Sequence, residues 1–193
     1  MPDSPCIVGW SHSRFGKLAD QGLEELMVGV ARDAMADAGV AGEDIDGIYV
    51  GLFNNGLSAQ DFPSSLVLHA DRGLRYKPAT RLENACATGS AAIYGALDFL
   101  AAGRGRLALV VGAEKMTATP GPQIGEILLK ASYVREGTGG ASSFVGVFGQ
   151  IAQQYFERYG DRSAALARIA SKNHRNGVDN PFAQMRKDLG FEF

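Results

Sequence analysis

The 193-residue sequence has few of the residues that build disulfide frameworks, metal centres or membrane spans. It contains two cysteines, three histidines and one tryptophan. Two cysteines in dissimilar settings make neither a disulfide framework nor a zinc site, so no metal is expected. The lack of a disulfide framework is typical of a protein from a reducing compartment. The longest apolar runs, such as residues 107–111, are far too short to span a bilayer.

Net charge is also small, because 19 basic and 21 acidic residues leave a formal value of −2. A balanced chain without a basic run gives no electrostatic reason to expect nucleic acid or an anionic membrane as a partner. The N-terminus has neither a charged region nor a long apolar stretch, so no signal peptide is expected. The sequence therefore predicts a cytoplasmic protein.

Hydrophobic residues make up 46% of the chain, enough for a substantial core in one or two domains. Apolar periodicity predicts alternating strands and helices. The predicted strands cover residues 7–9, 48–53, 78–83 and 107–112, and the predicted helices cover residues 23–38, 62–74 and a segment ending near residue 102. This order predicts an α/β layered domain with right-handed crossovers. The continuously apolar run 107–112 predicts a parallel strand covered on both faces.

The composition of the sequence changes after Met116. Residues 117–125 carry two prolines and two glycines, and residues 137–143 are glycine-rich and polar, so both segments are predicted to be loops. Helices are predicted over residues 124–131, 145–159 and 163–173. We therefore predict a boundary near residue 118, with an α/β domain over 1–118 and a mostly helical region over 119–193.

Cys86 is the candidate catalytic residue, because it stands where an extended segment gives way to a helix rich in small residues. A thiol at that point faces the unpaired N–H groups and positive dipole end of the helix, which favours the thiolate. A thiolate is the form that attacks a thioester. The alternative is a buried structural cysteine, but the small residues Thr88, Gly89 and Ser90 would fill a core poorly.

Residues 83–92, Glu-Asn-Ala-Cys-Ala-Thr-Gly-Ser-Ala-Ala, resemble the nucleophile loop of the thiolase superfamily, especially the branch similar to the thiolase domain of sterol carrier protein. Further matches lie at residues 6–10, 15–17, 46–51, 110–116, 155–160, 172–176 and 180–184. The resemblance implies a thiolase-like layered αβα half with a mixed, mainly parallel sheet. It also implies that 119–193 is a mostly helical loop domain that covers the active site and receives coenzyme A.

The same resemblance implies that a C-terminal half is absent. That half normally supplies a Gly-His-Pro histidine, a second cysteine in a Cys-Gly-Gly context and a further Asn or His. The contexts of His12, His69 and His174 do not match these motifs, and Cys6 lies in the segment 6–10, which resembles a thiolase first strand. We therefore expect the front half of a thiolase, inactive by itself because the base is missing.

The implied activity is that of an acetyl-CoA acetyltransferase or 3-ketoacyl-CoA thiolase of lipid and fatty acid metabolism. The Cys86 thiolate would attack an acyl-CoA, forming an S-acyl-cysteine, with the Cys86 N–H as candidate oxyanion donor. No cofactor is expected, since the coenzyme A thioester is the substrate. The residues that contact coenzyme A stay unassigned, because basic residues such as Arg158, Arg168 and Lys172 are more often a solvated helix face.

Two other functional classes stay open. One is a thiolase-like condensing enzyme or a steroid side-chain aldolase subunit, and the other is a non-catalytic interaction subunit of a thiolase-like complex. In thiolases the extended segment before the nucleophile pairs across a two-fold axis, and residues 78–84 would present that edge here. The expected partners are therefore a second copy of the chain or a separate C-terminal half.

Overall fold

The computed structural model describes residues 4–193, which divide into two compact units. Among these residues, the first unit comprises 4–13 and 18–119, and the second comprises 14–17 and 120–193. The functional division predicted near residue 118, into a catalytic domain and an active-site cover, stays a prediction.

The first unit is built on three parallel strands, β1 (Gly47–Gly51), β2 (Ala79–Leu82) and β3 (Ala108–Gly112). The strand order is β2-β1-β3, so β1 is central, with Ile48 opposite both Ala79 and Leu109. The predicted α/β class with a parallel sheet is confirmed. Because the strands are parallel, their carboxyl ends all lie at the same edge of the sheet.

Helix α1 (Leu23–Ala38) begins and ends as its sequence predicts. The Gly22 N–H donates to Glu25 Oε2 at 2.8 Å, and Gly39 ends the helix in a left-handed conformation with a φ of 67°. The helix packs on the face of the sheet formed by Ile48 and Val50. The buried core on this side comprises Leu23, Met27, Ala31, Met35, Ile45, Ile48, Val50, Leu52, Val67, Ala70, Leu74, Leu109 and Val111.

Helix α2 (Thr88–Ala101) covers the opposite face, where the alternating residues of β1 include two glycines. A Cβ atom on Gly51 would lie 3.1 Å from the carbonyl oxygen of Thr88. A Cβ atom on Gly95 of the helix would lie 3.0 Å from the ring of Tyr49. The missing side chains therefore allow α2 to approach β1 closely, and this contact sets its first turn against the carboxyl end of β1.

Strand β3 is less covered than predicted. Leu109 and Val111 are buried on the α1 side, but Val110 on the other face is 36% exposed. The prediction of complete two-sided burial was therefore wrong for this strand. In the described part of the chain β3 is an edge strand, and the single helix α2 does not fully cover its outer face.

The strand predicted at residues 7–9 is absent, since none of the strands described pairs with this segment. The segment instead runs along α1, where the Trp10 N–H donates to Asp37 Oδ2 at 2.9 Å. Ile7 is 87% exposed. Apolar character alone predicted the strand, but a strand also needs a neighbouring ladder for its backbone hydrogen bonds.

The helix predicted over residues 62–74 is also corrected, because two 3₁₀ helices, Pro63–His69 and Arg72–Leu74, replace it. Asp71 separates them. Its backbone is extended, and its side chain accepts the N–H of Gly73 at 2.7 Å to begin the second helix. The inward-facing Val67 of the prediction is nevertheless fully buried.

The second unit contains helices α3 (Gly121–Leu129), α4 (Phe144–Tyr159) and α5 (Ser163–Gly177), as its mostly helical prediction required. The Ser143 hydroxyl caps α4 by accepting the Gly146 N–H at 3.1 Å. Gly137, Gly139 and Gly140 take positive φ values in the connecting loop. Within residues 4–193, no helix combines the length and the apolarity that crossing a bilayer requires.

The close approach of α2 to β1 gives a testable prediction. Gly51→Ala should lower the free energy of unfolding by about 1–3 kcal/mol, because the new methyl group would force the Thr88 carbonyl away. The matched control is Gly29→Ala in α1, where nothing lies within 4 Å of the added atom. That variant should gain roughly 0.5–1 kcal/mol from helix propensity. Urea denaturation of both variants measures the difference, and a fully stable Gly51→Ala protein would contradict the packing argument.

Candidate active site

Three connections meet at the carboxyl edge of the sheet. Strand β2 leads into the turn that carries Cys86, β1 leads into residues 52–54, and β3 leads into Glu114. The Gly51 carbonyl accepts the Ala113 N–H at 3.2 Å, so the ends of β1 and β3 stay joined beyond the strands themselves. Parallel α/β sheets bind ligands at this edge, which makes it the candidate site.

Cys86 lies in a single 3₁₀ turn, Ala85–Ala87, directly before α2, and its side chain is exposed. Ala85 has a φ of 44°, a left-handed conformation that is uncommon for a residue with a Cβ atom. The turn therefore reverses the chain sharply between strand and helix. This geometry places an accessible thiol directly before α2, where the sequence predicts it, while the catalytic role of Cys86 stays a prediction.

The Thr88 hydroxyl holds this turn together. The side chain of Thr88 is buried, and its Oγ1 accepts the Asn84 N–H at 2.8 Å and donates to the Ala85 carbonyl at 2.7 Å. The Glu83 carboxylate accepts the Ala85 N–H. The N–H and the carbonyl of Ala85 are thus each bound to a side chain, which offsets the strain at this left-handed residue.

Sequence reasoning treated Thr88 only as a small residue and missed this role. A signal was available, because threonine in the first turn of a helix readily bonds the backbone three or four residues earlier. Cys86 is followed two positions later by such a threonine. The pattern of a candidate nucleophile followed two positions later by a threonine that can bond the preceding turn is therefore readable from the sequence.

Two oppositely charged residues at the same edge were also not singled out as site residues. Glu114 follows β3, and its Oε2 accepts the N–H groups of Phe53 at 3.0 Å and Asn54 at 3.3 Å. Arg81 lies in β2 and donates from Nε to the Leu52 carbonyl at 3.0 Å and from Nη2 to the Phe53 carbonyl at 2.8 Å. Burial raises the pKa of Glu114, while the Asn54 and Phe53 N–H groups and the Arg81 charge act in the lowering direction.

The remaining nucleophile and base candidates are placed elsewhere. Cys6 is exposed and lies outside any strand, contrary to the prediction, with its Sγ 3.5 Å from the Ser4 carbonyl. His69 Nδ1 lies 2.6 Å from Glu24 Oε1, in a pair that joins a 3₁₀ helix to the first turn of α1. In residues 4–193, no group of three His, Cys, Asp or Glu side chains is arranged to hold a metal ion.

An exposed cysteine on a strained turn between a parallel strand and a helix of small residues defines an α/β protein with a candidate thiol nucleophile. The thiolase N-terminal domain model matches residues 6–189. The chain therefore belongs to the thiolase family, and the resemblance found in the sequence is confirmed.

Two archaeal relatives are acetyl-CoA acetyltransferases. The one from Methanothermobacter thermautotrophicus is 31% identical over 180 residues, covering 92% of this chain and 46% of the relative. The one from Methanocaldococcus jannaschii is 34% identical over 180 residues, covering 92% of this chain and 45% of the relative. Sterol carrier protein 2 of Bos taurus is 25% identical over 198 residues, covering 96% of this chain and 35% of its own length. The chain thus spans half or less of the length of these relatives.

Solved structures with low sequence identity share the fold. The acetyl-CoA acetyltransferase from Syntrophomonas wolfei superposes with a TM-score of 0.69 at 22% identity, over 89% of this chain and 46% of that one. The Ltp2-ChsH2(DUF35) aldolase superposes with a TM-score of 0.73 at 20% identity, over 96% of this chain and 47% of that one. These superpositions support the thiolase-like fold.

The role of Thr88 is testable by removing its hydroxyl. Thr88→Val should lower the free energy of unfolding by about 1–3 kcal/mol, because the Asn84 N–H and the Ala85 carbonyl lose a buried partner. Thr88→Ser keeps the hydroxyl and should lose much less. Urea denaturation compares the two variants, and equal stabilities would show that the hydroxyl does not hold the turn.

The raised pKa of Glu114 predicts a pH dependence of stability. The folded protein holds the proton of the Glu114 carboxyl group more tightly than the unfolded chain does. Protonated Glu114 therefore stabilises the fold most at low pH, and this stabilisation is lost as the pH rises through the folded-state pKa. Wild type should therefore lose stability relative to Glu114→Gln as the pH rises from the ordinary glutamate pKa of about 4 into the neutral range. Thermal unfolding of both proteins across this range measures the difference. A difference that moves the opposite way would mean that the folded protein favours the ionised carboxylate.

Proposed function

We propose that this chain carries the nucleophilic half of a thiolase-type acyl-CoA acyltransferase, with Cys86 as the residue that becomes acylated. The observation that carries the proposal is the turn itself. An exposed thiol stands directly before α2, on backbone held by Thr88 and Glu83, in a chain of the thiolase family. The relatedness to acetyl-CoA acetyltransferases supports this class of reaction.

The proposed first step is attack of the Cys86 thiolate on the carbonyl carbon of an acyl-CoA. A C–S bond forms to Cys86, and the carbonyl π electrons move onto oxygen. Backbone N–H groups at the start of α2, with that of Cys86 as the first candidate, would stabilise this oxyanion. When the tetrahedral species collapses, the bond to the coenzyme A sulfur breaks, and the departing thiolate takes a proton. The acyl group stays on Cys86 as a thioester.

The second step needs a base that we assign to another segment or chain. In the synthetic direction a base would remove a proton from the α-carbon of acetyl-CoA, and the resulting enolate would attack the S-acyl cysteine. In the degradative direction coenzyme A would cleave a 3-ketoacyl-CoA. Since the chain spans 46% and 45% of the two acetyltransferase relatives, we propose that a C-terminal thiolase half supplies the base.

We also propose that the partner is either this half or a second copy of the chain. Strand β2 supports the second choice, because it is an edge strand of the sheet formed by the described residues. Its outer backbone groups are therefore available for pairing with another strand. Since β2 leads directly to Cys86, an interface there would lie close to the proposed nucleophile.

The covalent step predicts that acetyl-CoA will transfer one acetyl group to Cys86. Peptide mass mapping after incubation should locate the acetyl group on Cys86 in wild type and in the control Cys6→Ala, and on no cysteine in Cys86→Ala. Both cysteines are exposed, so accessibility alone does not explain a preference for Cys86. Acetylation of Cys6 at an equal rate would contradict the assignment of the nucleophile.

Turnover should be far slower than acylation in the isolated chain. General acid–base catalysis contributes about 10²- to 10⁴-fold, and adding a separately expressed C-terminal half should restore a gain of that size. A complex that cleaves a β-hydroxy thioester without forming an acyl-cysteine would instead identify an aldolase. A tight complex that does neither would identify a non-catalytic subunit.

A further inference from the structure

The segment that leaves β1 is held on both sides by charged side chains. Residues 52–54 contain three successive backbone units, and Arg81 binds two carbonyls while Glu114 binds two N–H groups. The two charges come from different neighbours, β2 and the end of β3. Both charged side chains direct these hydrogen bonds to the same short stretch of backbone, which we call the β1 exit segment.

This segment ends in a left-handed backbone conformation, which asparagine adopts more readily than most residues. Asn54 has a φ of 53°, and Asn55 follows with a φ of 44°. The Asn54 side chain is buried, and its Oδ1 accepts the Ser58 N–H at 2.7 Å. Consecutive left-handed residues cost free energy, so the surrounding bonds must define this path for the chain. Charge-assisted hydrogen bonds are suited to that purpose because they are stronger than neutral ones.

The β1 exit segment is linked by a hydrogen bond to β2, the strand that leads into the Cys86 turn. The Leu52 N–H donates to the Leu82 carbonyl at 3.4 Å, and Leu82 is the last residue of β2. Arg81, which binds the segment, stands beside Leu82 in the same strand. On the side of α2, Gly51, which precedes the segment, lies close to the carbonyl of Thr88, the residue whose hydroxyl holds the turn. Movement of the segment would therefore reach the turn both through β2 and through α2.

We propose that Arg81 and Glu114 are a pair of positioning residues that hold the β1 exit segment and thereby fix the backbone of the Cys86 turn. They act through this segment and not by contact with a substrate. The inference rests on the proposed function only in taking Cys86 as the reacting group. Its structural content, the transmission from the exit segment to the turn, is separate from acyl transfer.

Backbone hydrogen exchange followed by NMR tests the proposal in the chain as it exists. Glu114→Ala removes the acceptor of the Phe53 and Asn54 N–H groups, so both should exchange about tenfold faster. The proposal further requires faster exchange at Ala85 and Ala87, in the Cys86 turn. Glu114→Gln keeps one amide oxygen as an acceptor and should restore part of the protection. Asp33→Ala, which removes an exposed carboxylate of α1, is the control and should leave all four amides unchanged.

The chemical readout is the rate at which iodoacetamide alkylates Cys86, with Cys6 as the internal reference. Glu114→Ala and Arg81→Ala should each change the Cys86 rate at least threefold and leave the Cys6 rate unchanged. The double variant should change it by less than the product of the two single effects, because either single loss already frees the segment. Arg75→Ala, an exposed arginine outside the strands, is the control for the arginine variant.

Faster exchange confined to Phe53 and Asn54, with Ala85, Ala87 and the Cys86 alkylation rate unchanged, would overturn the proposal. It would leave Glu114 with a purely local structural role. Independent, multiplicative effects of the two variants on the alkylation rate would equally overturn the idea of a pair. Failure of acetyl-CoA to acylate wild-type Cys86 would count against the proposed function instead, since neither hydrogen exchange nor alkylation depends on that reaction.

Discussion

The close contact between Gly51 of β1 and Thr88 of α2 is the constraint on which the site depends. A helix normally stands off a sheet by the thickness of its side chains, but here the glycine lets the backbones approach. That approach places the first turn of α2 at the carboxyl end of the central strand. The Thr88 hydroxyl then fixes the Cys86 turn from the same position. This one contact therefore links the packing of α2 to the geometry of the site.

Elements with a strong local signal were predictable from the sequence. Helix α1 has an apolar face, an acidic first turn and a terminal glycine, and each of these signals acts within a few residues. The strand predicted at residues 7–9 failed because pairing is a property of two segments, and apolar character reports on only one. The prediction of one helix over residues 62–74 was wrong for a related reason. The hydrogen bond between the Asp71 side chain and the Gly73 N–H interrupts an otherwise helical apolar pattern.

The residues of the candidate site also differ in whether the sequence predicts them. Cys86 and its place before a helix follow from the order of small and extended residues. Arg81 and Glu114 do not, because they lie far apart in the sequence and bind the backbone of a third segment, near residue 53. No spacing of residues in the sequence predicts that these two side chains bind the same segment. This arrangement arises only when parallel strands bring three distant connections to one edge.

The exposure of both thiols has a consequence for how the protein behaves in air. Cys6 and Cys86 are each accessible to solvent, so oxidation can join two copies by a disulfide or convert a thiol to its sulfenic acid. A disulfide-linked dimer is lighter than one held by paired strand edges by only the two hydrogen atoms lost to the oxidant, so sedimentation does not tell them apart. A reducing agent distinguishes the two dimers, because it cleaves the disulfide and leaves the strand pairing intact.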